Sequence, residues 1–122
     1  MNALIVPSAF VVKITIFKGR VIMVTEVSNM DSIKSGNVIV DFYTRTCAPC
    51  RALHPVLEEI SNEFSNLTVT KVEVTQNPDL SQMFGVMSVP TVVFMKDSKV
   101  KHVSQGFSTK ENFKSLVRKY YQ

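Results

Sequence analysis

Cys47-Ala48-Pro49-Cys50 is where residue type and spacing in this chain could together make and break covalent bonds, and it holds both of the cysteines. If Cys47 opens a helix, unpaired backbone N–H groups and the positive end of the helix dipole stabilise a thiolate there. Such sites lower a cysteine pKa from about 8.5 into a range of roughly 3.5–7.5. A residue three positions on lies on the same helix face, about 5–6 Å away, a separation that suits a disulfide. Cys47 could then attack a partner's disulfide, and Cys50 could resolve the mixed intermediate by closing a ring. Pro49 suits a first helical turn and stiffens the loop between the two sulfurs.

Other uses of the pair stay on the table but fit less well. A structural zinc site wants four ligands, and His54 and His102 are the histidines present to complete one. Cys50 and His54, four residues apart, have a helical spacing for that purpose. Covalent haem attachment needs a histidine directly after the second cysteine, and Arg51 stands there. The remaining reading is two unreactive core cysteines, although helix-start cysteines flanking a proline are hard to explain by packing. His54 itself reads as a surface residue.

The elements that would position this pair can be marked out along the chain. Phe10–Phe17 is rich in β-branched residues and reads as a strand. Lys18-Gly19-Arg20 would turn it into a second strand over Val21–Val27. Two alternatives for this region are a targeting segment, since residues 1–25 carry no acid, and a second start at Met23. Ser28 can cap a short helix with Asp31 in its first turn and Gly36 ending it. Asn37–Tyr43 holds the apolar run Val38-Ile39-Val40 of a buried strand, into which Asp41 intrudes.

A helix starting near Cys47 carries Leu53, Val56, Leu57, Ile60 and Phe64 on one side, and Pro55 should kink it. Leu67–Val74 is the next strand. Asn77-Pro78 supplies a cap and a first-turn proline for a short helix that Gly85 closes. Thr91–Met95 and Val100–Val103 form a hairpin across Asp97-Ser98. Ser108 with Glu111 is a capping box for a last helix carrying Phe113, Leu116, Val117 and Tyr120. Strands alternating with helices and ending in a hairpin predict an α/β fold, a mixed sheet between helical layers.

The 122 residues are 45% apolar and 20% charged, the profile of one globular domain. No apolar run approaches the roughly 18 residues of a membrane span, and two cysteines are too few for a secreted disulfide scaffold. A soluble, intracellular protein is expected. The net charge of +4 is concentrated in residues 1–22, which hold Lys13, Lys18 and Arg20 and no acid. The rest is nearly neutral, a poor case for nucleic-acid binding. A local excess of Lys96, Lys99, Lys101, Lys110, Lys114, Arg118 and Lys119 reads either as a solvated face or as steering for an acidic partner.

The landmarks Val40-Asp41-Phe42-Tyr43, Cys47-Ala48-Pro49-Cys50, Pro55, Lys71, Gln76-Asn77-Pro78, Val89-Pro90-Thr91 and Gly106, in this order, resemble the thioredoxin family. The resemblance spans about Met23 to the C-terminus, so residues 23–122 are expected to form a thioredoxin domain. It implies a central mixed sheet flanked by helices on both faces, with residues 1–22 as an added N-terminal strand, hairpin or targeting segment. By the same resemblance Cys47 matches the nucleophile and Cys50 the resolving thiol. Asp41 matches a buried carboxylate that takes and returns the second cysteine's proton, Lys71 its basic partner, and Pro90 the family's cis-proline. An acid inside a core strand is costly unless paired or used, which agrees independently with a role for Asp41. Thr46, Ala48, Pro49, Val89 and Gly106 would line the substrate contact surface, with the Val89 backbone pairing an extended substrate.

Some positions depart from the family pattern. Thr46 replaces the usual tryptophan, and the chain has no Trp. Ala48 replaces a glycine, and Thr75 stands where an acid is common, while Met87 and Phe107 add apolar bulk. The implied activity is reduction of protein disulfides without a bound cofactor or metal. The electron donor would be a thioredoxin reductase using NADPH, or a ferredoxin-linked equivalent, and the protein a cytoplasmic monomer. The competing readings are a thioredoxin-fold binding module with incidental redox chemistry, and a disulfide oxidase or isomerase.

Overall fold

Side chains alternate across a strand, and along Asn37–Tyr43 that alternation sorts the molecule into two layers. Val38, Val40 and Phe42 point to one face of the sheet; Ile39, Asp41 and Tyr43 point to the other. All six are buried. The computed structural model describes residues 10–17, 20–27 and 29–122. Its strands are β1 (Phe10–Phe17), β2 (Arg20–Val27), β3 (Asn37–Tyr43), β4 (Thr68–Glu73), β5 (Thr91–Lys96) and β6 (Lys99–Gln105). Its helices are α1 (Ala48–Glu63), α2 (Pro78–Met83) and α3 (Lys110–Tyr121), with a single 3-10 turn at Met30–Ser32.

The strands form one mixed sheet in the order β1-β2-β4-β3-β5-β6. β4 runs parallel to both β2 and β3, whereas β1–β2, β3–β5 and β5–β6 are antiparallel. On the Ile39 face, Val69, Val92 and Phe94 pack against Leu53, Leu57, Ile60 and Phe64 of the α1 region and Phe113, Val117 and Tyr121 of α3. On the Val38 face, Val72, Val93 and Met95 pack against Leu80 of α2 and Ile33. Helices thus cover both faces, as expected. The Tyr121 hydroxyl shares its proton between the carbonyls of Val38 (3.0 Å) and Met95 (2.8 Å), anchoring the end of α3 to the sheet.

The N-terminal hairpin is present, with Phe10 opposite Val27 and Phe17 opposite Arg20. Residues 1–9, on which the targeting alternative also rested, lie outside the described residues, as do Lys18, Gly19 and Ser28. Asp97 and Ser98 both have positive φ, the conformation a two-residue hairpin turn requires. Helix α1 continues through Pro55 to Glu63. Among the described residues no helix is long and apolar enough to cross a membrane.

Four expected helix-end roles, those of Ser28, Gly36, Asn77 and Ser108, are corrected. Asn29 caps the 3-10 turn, accepting from Asp31 N at 2.9 Å. Gly36 does not end that turn, whose C-cap is Ile33, but immediately precedes β3, and its N–H donates to Asp97 Oδ1 at 2.8 Å. Asn77 makes no side-chain cap and donates instead to the Glu73 carbonyl at 2.9 Å. Thr109, one residue past the predicted Ser108, caps α3 by accepting from Asn112 N at 3.2 Å. Ser108 Oγ instead accepts from the Asn112 side chain. Several side-chain oxygens lie near each helix start, and backbone dihedrals, invisible in the one-letter code, decide which is aimed at the free N–H groups.

Candidate active site

The register of the sheet gathers three loops at one of its ends. Phe42 is opposite Thr91 in β5, Tyr43 is opposite Glu73 in β4, and Thr91 is opposite Gln105 in β6. The loop after β3 that carries Cys47, the residues before β5 that include Pro90, and Gly106 after β6 therefore all leave the sheet at the same end. Gly106 N donates to the Pro90 carbonyl at 2.9 Å, and Thr91 Oγ1 donates to Ser88 O at 2.6 Å, so the second and third loops are tied together. The Val89–Pro90 bond is cis. Gly106 has φ +81°, a left-handed conformation that favours glycine.

Cys47 occupies the N-cap of α1 in an extended conformation, with Ala48 and Pro49 as the first two helical residues. Its Sγ accepts from the Cys50 backbone N–H at 3.2 Å. The pair forms a disulfide with Cα atoms 5.2 Å apart. Cys50 is fully buried, whereas Cys47 is partly exposed between the exposed Thr46 and Ala48. One sulfur is thus reachable and stands where a helix offers its free donors; the other waits a turn inside. An N–H aimed at sulfur, together with the helix dipole, favours a thiolate over a thiol at Cys47 once the bond is reduced.

Asp41 lies on the α1 face of β3 and is 1% exposed. Lys71 is its register neighbour on β4; the Lys71 ammonium lies 5.3 Å from the centre of the Tyr43 ring. The Tyr43 hydroxyl hydrogen-bonds the Glu26 carboxylate. Burial raises the Asp41 pKa above its ordinary range, and His54 and then Lys71 oppose that rise. Burial, followed by Glu26, also raises the Tyr43 pKa.

His54 is not the surface residue its sequence context suggests. Its Nε2 is 3.3 Å from Asp41 Oδ2, and its side chain is 22% exposed. The contact has ion-pair distance without hydrogen-bond alignment, so among the described residues both Asp41 oxygens and His54 Nε2 have no hydrogen-bond partner. The Tyr43 ring meets the imidazole edge-on, with centroids 4.9 Å apart. Two facts of the sequence could have located it: His54 follows Cys50 by one helical turn, and an acid sits in the strand that leads into that helix.

Of the expected contact residues, Thr46, Ala48 and Pro49 are exposed, Val89 and Gly106 half-buried, and Pro90 buried. Met87 (93% exposed) and Phe107 (51% exposed) present apolar surface from the segments flanking Pro90 and Gly106. Thr75 fills no acidic role: its N–H and Oγ1 both donate to Glu73 Oε1 at 2.6 Å, holding the turn after β4. Among the described residues there is no group of three or more His, Cys, Asp or Glu side chains that could hold a metal ion.

Comparison with known proteins gives one consistent answer. The family model described as Thioredoxin matches residues 20–119. A thioredoxin of Chlamydia muridarum is 39% identical over 90 residues, covering 74% of this chain and 88% of its own. A thioredoxin of Bacillus subtilis is 36% identical over 101 residues, covering 82% and 97%. Among solved structures, a mutant thioredoxin from Halobacterium salinarum superposes with a TM-score of 0.75 at 27% identity, over 80% of this chain and 89% of that one.

Proposed function

This chain belongs to the thioredoxin family and is a thiol–disulfide oxidoreductase that reduces protein disulfides, and on that premise we propose how its own residues divide the work. Cys47 is the nucleophile. Its thiolate attacks one sulfur of a substrate disulfide, forming a mixed disulfide and releasing the other substrate sulfur as a thiolate. Cys50 then gives its proton to the Asp41 carboxylate and attacks Cys47 Sγ. The second substrate sulfur leaves, the Cys47–Cys50 bond forms, and two electrons have passed to the substrate. Lys71 supports the charge on Asp41. Thr46, Ala48, Pro49, Val89, Pro90 and Gly106 form the surface against which an extended substrate segment lies.

The observation that carries this reading is Cys47 Sγ at the N-cap of α1, accepting the Cys50 N–H at 3.2 Å and bonded to its partner one turn inward. Residues 23–122 hold the reaction, and residues 1–22 are an extension to it. The electron donor is a thioredoxin reductase or a ferredoxin-linked equivalent, the working form is a monomer, and the compartment is the cytoplasm. Insulin reduction in the presence of dithiothreitol tests the assignment. Cys47→Ser should lose the acceleration, whereas Cys50→Ser should accumulate mixed disulfides at Cys47 that mass spectrometry identifies. Equal turbidity curves for wild type and Cys47→Ser would reject it.

A further inference from the structure

Asp41 is 1% exposed, so a proton that it takes from Cys50 needs a way out. His54 stands four residues after Cys50 on the same face of α1, with Nε2 3.3 Å from Asp41 Oδ2 and about a fifth of its side chain in solvent. The Tyr43 ring, edge-on at 4.9 Å, limits the planes the imidazole can take. A small rotation within that limit would align Nε2 with Oδ2, and both atoms lack any other hydrogen-bond partner among the described residues. A cleft with room for roughly one water molecule borders the pair, lined also by Glu58, Thr70 and Lys71.

We propose that His54 is a positioning residue for disulfide exchange: its imidazole orients the Asp41 carboxyl group and passes protons between that group and solvent. The proposal rests on the reading of Asp41 as the acceptor of the Cys50 proton. The steps balance. As Cys50 sulfur attacks, its proton goes to the Asp41 carboxylate; the carboxyl group hands a proton to Nε2, and the imidazolium releases the proton on Nδ1 to water. The electrons travel only through sulfur. Charged groups face the pair from three elements: Glu58 on α1, Lys71 on β4, and Glu26 on β2 through the Tyr43 hydroxyl. Of the groups that hold down the buried carboxyl pKa, His54 acts more strongly than Lys71.

The test combines carbon NMR titration of the Asp41 carboxyl group with stopped-flow reduction of dithiobis-nitrobenzoate between pH 5 and 9. The first phase of chromophore release reports attack by Cys47 and the second reports Cys50. His54→Ala should raise the Asp41 midpoint by about one pH unit or more. It should slow the second phase roughly tenfold at pH 7 while the first phase stays within about twofold. His54→Gln, which keeps a hydrogen-bonding group but cannot carry the proton, should leave the second phase slow. A wild-type second phase in either variant overturns the proposal, as does an equal slowing of both phases. Asp41→Asn separates the two levels. If its second phase is that of wild type, the reading of Asp41 falls and takes the proposal with it. If Asp41→Asn is slow and His54→Ala is not, the proposal alone fails.

Discussion

At the scale of single residues, the chemistry depends on how one buried carboxyl group, Asp41, is treated. Burial makes the Asp41 carboxyl hold its proton more tightly in the folded chain than in the unfolded one, whose value is near 3.8. Between that value and the raised folded one, the native state binds more protons. Stability therefore falls as pH rises through this window, and the loss persists above it. Asp41→Asn should consequently raise the thermal midpoint of the oxidised protein at pH 8. Little or no gain should remain near pH 3.5. Calorimetry at the two pH values checks this, and an equal shift at both would show that the carboxylate charge is not what costs stability.

At the scale of elements, α3 is held onto α1 and the sheet by a cap, an ionic seam and an apolar face. Thr109 supplies the cap, so Thr109→Ala should cost about 1 kcal/mol in urea unfolding, and Ser108→Ala less than half of that. The seam joins Glu63 at the end of α1 to Lys110 at 2.6 Å and Lys114 at 3.3 Å. These two lysines belong to the basic group that the sequence left as either solvated or partner-binding; here they are neutralised within the fold. The Lys110 hydrogen bond is the chief cause of a lowered Glu63 pKa. That stabilisation is present above the ordinary glutamate range and is lost as pH falls through the lowered folded value. The side chains are partly exposed, so Glu63→Gln should lower the melting midpoint by only roughly one or two degrees. That difference should vanish in 1 M salt, where screening reaches about 3 Å.

At the scale of the whole molecule, the outer hairpin strand β1 pairs along its length with β2. β2 in turn meets β4 at Thr25–Thr70 and Glu26–Lys71. A chain lacking residues 1–18 should therefore still fold and reduce insulin within roughly twofold of the full rate. It should also expose the edge of β2 and self-associate more readily in sedimentation velocity, because an unpaired strand edge is a template for pairing. Loss of activity without association would instead place the hairpin in the structural support of Asp41 and Lys71.

The amino-acid order alone determined the Cys47–Cys50 pair, the α/β alternation and the burial of Val38, Ile39 and Val40, because these follow from short-range spacing and from short apolar runs and helical periodicity. The Asp97-Ser98 hairpin was legible for the same reason. Capping was less so: the choice of Thr109 over Ser108 turns on backbone dihedrals. What only the tertiary structure decided was who stands beside Asp41. The sequence pointed to Lys71, thirty residues away, and set His54 aside as surface. The crossing of α1 over the Ile39 face of β3 brought the imidazole to 3.3 Å. The reason is that a contact across a helix–sheet interface depends on the rotation of the helix about its axis, which the whole core settles and no local pattern encodes.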